Sequence, residues 1–291
     1  MTLEGISAGF TRFAVGLAKK AVLANGCAAI ADSLLVIDGL GTQSSLGIIL
    51  GVFAYALQLY LDFSAYSDMA IGMGLMVGLH YKENFNYPYV AHSVTDFWRR
   101  WHMSLSSFFR DYVYIPLGGS RGSLFKQIRN IVIVWFLTGF WHGASWNFIV
   151  WGLYFAVLLT LEKMFLGKYL KKSRVLSRVY VLFLIAISFV IFNAAGMGEA
   201  MQYIGGMFGV GTTGLAGAEW LYNLRSFALI LIFAVIGATP VPKLIVKKVN
   251  SLKAGNTVIS VLSPVFTVVI LVLCTAYLVD GSFNPFLYFR F

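Results

Sequence analysis

Two histidines stand where residue type and spacing point to chemistry. His142 lies in Trp141-His142-Gly143-Ala144-Ser145-Trp146, between an apolar run from Ile131 to Phe140 and another, almost unbroken, from Phe148 to Leu161. An ionisable side chain inside a membrane segment is expensive, which makes it a functional candidate from the outset. Gly143, Ala144 and Ser145 are small and let a substrate or a second backbone come close. An imidazole in low-dielectric surroundings favours its neutral form, the form that accepts a proton from a hydroxyl. The chemistry suggested is general-base catalysis; the competing reading is a structural histidine bonded to a neighbouring helix. His102 is the second candidate, and its competing reading is an interfacial histidine with no chemistry.

His102 belongs to the stretch from Ser93 to Tyr114. Ser93 and Asp96 form an S-x-x-D capping pattern at a helix start. At ~100° per residue, Val94, Phe97, Trp98, Trp101, Leu105, Phe108, Phe109 and Tyr112 fall within about 120° of arc. Arg99, Arg100, Ser106, Ser107, Arg110 and Asp111 take the opposite side. The spacing predicts one amphipathic helix that lies in the membrane interface rather than crossing it. After it, Pro116-Leu117-Gly118-Gly119-Ser120-Arg121-Gly122 is a glycine-rich loop with a cation, followed by Lys126 and Arg129. It suits a phosphate but matches neither the Walker nor the dinucleotide fingerprint.

The elements that must position these residues follow from composition. Hydrophobic residues make up 59% of the 291 and charged residues 12%, which excludes a soluble domain and predicts an all-α integral membrane protein. The net charge of +10 reads first as a topology signal, not as a nucleic-acid interface. Cys27 and Cys274 lie in apolar runs with no pairing or metal spacing, so no metal site is expected. Crossings are expected at Ala21 to Ile37, Val179 to Ala194, Arg225 to Ala238 and Thr257 to Val279, with residues 1–20 as a cytoplasmic approach and 195–223 as a polar loop. Leu46 to Leu79 is long for one span. Its Gly47/Gly51 and Gly74/Gly78 pairs offer faces for close helix packing. Asp62 and Asp68 in its middle either take partners or mark a break at the interface.

Basic stretches at 99–129, 163–178 and 243–253 are cytoplasmic by the positive-inside rule, and 195–223, with Glu199 and Glu219 and no cation, is outside. Residues 130–163 then form a hairpin that rises and returns. Twelve residues from Asn130 at ~1.5 Å each place His142 about 18 Å into the bilayer, within reach of both sides.

Asp96-Phe97-Trp98-Arg99-Arg100-Trp101-His102-Met103-Ser104-Leu105-Ser106, Phe109-Arg110-Asp111-Tyr112 and Trp141-His142-Gly143-Ala144 together resemble the membrane-bound O-acyltransferase (MBOAT) family. Tyr114-Ile115-Pro116-Leu117-Gly118-Gly119-Ser120-Arg121 and the ending Pro285-Phe286-Leu287-Tyr288-Phe289-Arg290-Phe291 look most like its bacterial alginate O-acetyltransferase branch. The resemblance runs from near residue 5 to the end, as one membrane-embedded domain over 1–291 lacking the branch's usual N-terminal helices. It implies about six transmembrane helices with re-entrant and interfacial ones added, in a bacterial inner membrane. By matching position, His142 is the family's membrane histidine and His102 its second motif histidine.

No tightly bound cofactor is implied; the donor would be acetyl-CoA or another acyl thioester on the cytoplasmic side. The acceptor would be an extracytoplasmic polysaccharide or a partner acetyltransferase, with polysaccharide-export proteins as further partners and no nucleic acid. Arg99, Arg100 and Arg121 suit the donor's phosphates. Trp98, Trp101, Arg110, Asp111 and Trp141 complete the expected donor-binding set, and Asp62, Asp68 and Asn130 its polar support. Competing expectations are D-alanyl transfer to teichoic acid and, from other classes, a proton-coupled transporter or a non-catalytic membrane scaffold.

Overall fold

A computed structural model describes residues 2–280 of the chain. The closing motif Pro285–Phe291 lies outside the described residues. Within them every regular element is a helix. The chain divides into two compact units: one comprises residues up to Leu34, Phe53–Glu83 and the chain from Trp220 on, the other Leu35–Val52 and Asn84–Glu219.

The first unit contains α1 (Leu3–Leu34) and most of α2 (Ser45–Met76). Arg12, Lys19 and Lys20 suggest an approach outside the membrane, yet α1 is one 32-residue helix that passes through them, with a π-helical turn at Lys19–Ala24. The reason lies on α2. Asp68 pairs with Arg12 at 2.9 Å and Lys19 at 2.6 Å, Asp62 pairs with Lys20 at 2.7 Å, and Glu83 accepts from Arg12 Nη1 at 2.7 Å. Each cation meets a carboxylate, so neither helix is interrupted by its charges. Of the two readings of Asp62 and Asp68, partners rather than a break is the one realised, and α2 is continuous over 32 residues. The helices touch where Gly9 faces Gly72, since a Cβ on either would run into the other's carbonyl oxygen. Gly74 instead lies under the Tyr81 ring.

The same unit holds most of α9 (Ala218–Ser226), together with α10 (Ala228–Gly237), α11 (Val241–Asn250) and α12 (Gly255–Asp280). The single crossing expected over Arg225–Ala238 is two helices bent by 66° at Phe227. Polar residues stop the apolar run there, and buried Asn223 is held by the Ser33 hydroxyl at 3.1 Å.

The second unit holds α3 (Val94–Trp98), α4 (Met103–Phe109), α5 (Leu124–His142), α6 (Trp146–Leu170), α7 (Arg174–Asn193) and α8 (Met197–Met207). Helices α8 and α9 occupy much of what reads in sequence as a polar loop at 195–223. Ile48, Val52, Val190 and Tyr203 form a buried apolar cluster. Among the described residues five helices, α1, α2, α6, α7 and α12, are long and apolar enough to cross a membrane, or six counting the bent α9–α10 pair. That agrees with the expected number.

α5 and α6 are the hairpin. The first arm starts at Leu124, not Asn130, because the Ser123 hydroxyl caps it. The arms meet at Gly139 and Gly152: a Cβ on Gly152 would strike the Trp135 carbonyl oxygen, and one on Gly139 that of Phe148. Only glycine permits this approach, as in other close membrane helix pairs. Gly152→Val should therefore force the arms apart, with folded protein in detergent extracts reduced several-fold and the melting temperature lowered by fluorescence-detected chromatography.

Candidate active site

The site is built from the short helix α3 upward. Ser93 caps it as the sequence suggests, its hydroxyl accepting from Asp96 N at 2.9 Å. The helix then stops after five residues, where the periodicity predicts continuation to Tyr114. Preceding chain competes for the backbone: Asn86 N donates to Arg100 O at 2.9 Å, and Met103 N donates to Asn84 O at 3.0 Å. The Asn84 side chain then caps α4, accepting from Ser104 N at 3.1 Å and the Ser104 hydroxyl at 2.9 Å. At this break His102 adopts φ +45°, ψ +55°, a left-handed conformation uncommon for a residue with a Cβ. Strain of that kind persists only where surroundings enforce it. His102 is buried, and burial pushes its pKa down to about 4, so the imidazole is neutral near pH 7. Phe97, Trp98 and Trp101 are buried as the apolar face requires, but Phe108 and Tyr112 are exposed.

His142 ends α5, and Gly143 caps that helix as the chain turns into α6 at Trp146. Buried Asn147 anchors the turn to the end of α7, its side-chain amide donating to Ala194 O at 2.9 Å. The imidazole sits among aromatic rings, with centroids 4.8 Å from Trp141, 5.0 Å from Trp151 and 5.1 Å from Phe192. Trp141 also meets His102, at 6.0 Å. The two histidines therefore both neighbour one indole. Trp98 joins the group through Trp151, at 5.7 Å, and packs on Trp135 and Phe155. Trp101 stacks on Phe97 and meets Phe189.

The other candidate residues have distinct placements. Arg99 is exposed, whereas Arg100 is tied to Asp96 at 2.9 Å and to Asn86 O at 3.3 Å. Arg110 and Asp111 pair with each other, 2.8 Å apart, on the surface. Arg121 is exposed on the glycine-rich loop. Fully buried Asn130 fixes that loop by donating to Leu117 O at 3.1 Å and Gly119 O at 3.2 Å, while Gly118, Gly119 and Gly122 supply positive φ. Asn130 is thus the loop's anchor. Asp62 and Asp68 belong to the other unit and its ion pairs. Among the described residues no group of three His, Cys, Asp or Glu side chains is arranged to hold a metal.

These placements separate the two arginines. Arg99→Gln should raise the KM for an anionic donor several-fold with the melting temperature unchanged, because the side chain is exposed. Arg100→Gln should instead lower the melting temperature, since it frees Asp96 in the first turn of α3; kinetics and thermal melts on the two variants check both outcomes.

One residue of consequence escaped the sequence reading. Glu162, near the end of the hairpin's second arm, is buried, and its carboxylate accepts from Val94 N at 2.6 Å, Thr95 N at 2.9 Å and the Thr95 hydroxyl at 2.7 Å. It joins the hairpin that carries His142 to the helix that leads to His102. The available signal was its isolation, as the one acid between Asp111 and Glu199.

Residues 4–205 match the model of the membrane-bound O-acyltransferase family. Over its whole length the chain is 37% identical to a probable alginate O-acetylase, AlgI, of Azotobacter vinelandii, covering 63% of that protein. It is 37% identical to a peptidoglycan O-acetyltransferase of Helicobacter pylori over 72% of the chain and 40% of the relative. A teichoic acid D-alanyltransferase of Bacillus subtilis matches at 38% identity over 41% of the chain and 32% of the relative. The chain thus spans less than two thirds of the length of the curated relatives it matches.

Proposed function

Because the chain belongs to the membrane-bound O-acyltransferase family, we propose that it serves to transfer an acetyl group from a cytoplasmic acyl thioester, acetyl-CoA being the expected donor, to a hydroxyl on the far side of the membrane. It is a multi-pass membrane protein, and the membrane we assign is the cytoplasmic membrane of a bacterium. The acceptor is an exported polysaccharide of the alginate kind or a partner acetyltransferase that serves one. The observation that supports this most is the convergence of His142 and His102 on Trp141 at the tip of a tightly packed hairpin.

In this reading His142 takes the proton of the acceptor hydroxyl as its oxygen adds to the thioester carbonyl. The tetrahedral intermediate then collapses, the carbon–sulfur bond breaks, and the thiolate leaves with the proton from His142. Neutral His102 orients the donor's acyl carbonyl, and exposed Arg99 and Arg121 attract its phosphates. D-alanyl transfer is less favoured, because that relative matches only 41% of the chain whereas the alginate relative matches all of it.

Membranes containing the protein, incubated with radiolabelled acetyl-CoA, should transfer label to a polysaccharide or an extracytoplasmic protein. Label that stays with the small-molecule fraction, accompanied by ion flux, would favour transport instead. The orientation is checked separately. A cysteine at Ser173 should react with an impermeant thiol reagent only from the cytoplasmic face and one at Gly217 only from outside; labelling of both from one face would overturn the topology.

A further inference from the structure

An indole N–H donates and never accepts, and leaving one buried without a partner is unfavourable. Two tryptophans of the site are in that state. Trp151 is 3% exposed and Trp98 9%, and Nε1 of each has no acceptor among the described residues. The two rings meet edge-on, 5.7 Å between centroids, and Trp151 also meets His142 edge-on at 5.0 Å. Around them Trp135, Phe155 and Phe192 present ring faces and edges. Unmet hydrogen-bond donors are therefore gathered in an aromatic cluster in contact with the candidate base, where acyl transfer would develop negative charge on oxygen.

We propose that the Trp151 indole N–H donates to the carbonyl oxygen of the acyl thioester and holds the oxyanion of the tetrahedral intermediate. The assignment rests on the O-acyltransferase reading and names a catalytic residue for it. As the acceptor oxygen bonds to the carbonyl carbon, His142 takes its proton and the carbonyl π pair moves onto the oxygen facing Trp151. The pair then returns, the carbon–sulfur bond breaks, and the departing thiolate takes the proton from His142. Nothing is oxidised or reduced. A hydrogen bond that strengthens as charge develops lowers the barrier more than it tightens ground-state binding. Trp98, whose N–H is also unmet among the described residues, is the neighbouring indole of the cluster.

Two variants test the assignment, Trp151→Phe and Trp151→3-benzothienylalanine, the second keeping the bicyclic shape with sulfur in place of N–H. With acetyl-CoA, each should lose about 10²-fold in kcat, a larger loss than the rise in KM, which should not exceed about tenfold. Two non-reactive probes give a readout that mere packing would not move. S-acetonyl-CoA carries a carbonyl and S-propyl-CoA does not, and only the first should bind the variants more weakly than the parent, by about tenfold. Parent-like kcat in the benzothienyl variant, or equal weakening of both probes, would overturn the role of Trp151. Failure of the parent itself to bind either probe would instead remove the acetyl-CoA reading, and the assignment with it.

Discussion

Replacement of His142 by glutamine should reduce acyl transfer by about 10²-fold or more while the protein remains in the membrane at parental abundance. Glutamine approximates the imidazole in size and keeps a hydrogen-bonding group, but it cannot take a proton. The surroundings of His142 are rings of Trp141, Trp151 and Phe192, so the substitution disturbs packing modestly and isolates the chemical step. His142→Ala should be at least as damaging to rate and should cost some stability as well, because it opens a void in the aromatic cluster. His102→Ala should cost less in rate if that residue orients rather than transfers a proton. It should leave the left-handed strain in place, since alanine retains the Cβ. Initial rates normalised to folded protein decide the matter. Equal activity of His142→Gln and the parent would defeat the base assignment.

The second large effect is expected at Glu162. Truncation to alanine would leave Val94 N, Thr95 N and the Thr95 hydroxyl without their buried acceptor, a loss of about 3 kcal/mol or more, since buried donors left unpaired carry their full desolvation cost. Glutamine should be intermediate: one oxygen still accepts, but its amide nitrogen must face a donor. Because Glu162 holds the start of α3, and α3 carries Trp98 and leads into His102, catalysis should fall further than abundance in the glutamine variant. Proportional loss of rate and folded protein would make Glu162 a stability residue alone.

How much of this was legible in the sequence depended on how local each signal was. The Ser93 cap, the apolar arms around His142 and the number of helices able to cross are local properties of composition and period, and the structure shows them. The continuous helix over Ser93–Tyr114 was not realised, because Asn84 and Asn86 take hydrogen bonds that no window centred on Trp98 contains. Basic residues in α1 read as a boundary for the same reason: their partners Asp62 and Asp68 lie more than forty residues away in the chain. Glu162 was hidden by its setting. A carboxylate beside six cations reads as part of a solvated loop, whereas its three backbone and hydroxyl donors come from a helix nearly seventy residues earlier.

The ion pairs between α1 and α2 also bear on how the chain is made. Lys20 emerges from the ribosome 62 − 20 = 42 residues ahead of Asp62, which at about 5–20 residues per second is a delay of roughly 2–8 s. During that interval Arg12, Lys19 and Lys20 have no counter-charges on α2, and each cation near the bilayer centre disfavours insertion by roughly 2.5–3.5 kcal/mol. α1 alone is thus a poor substrate for release into lipid. Once Asp62 and Asp68 are in place the α1–α2 pair is neutralised, and it enters lipid at a lower cost than α1 by itself.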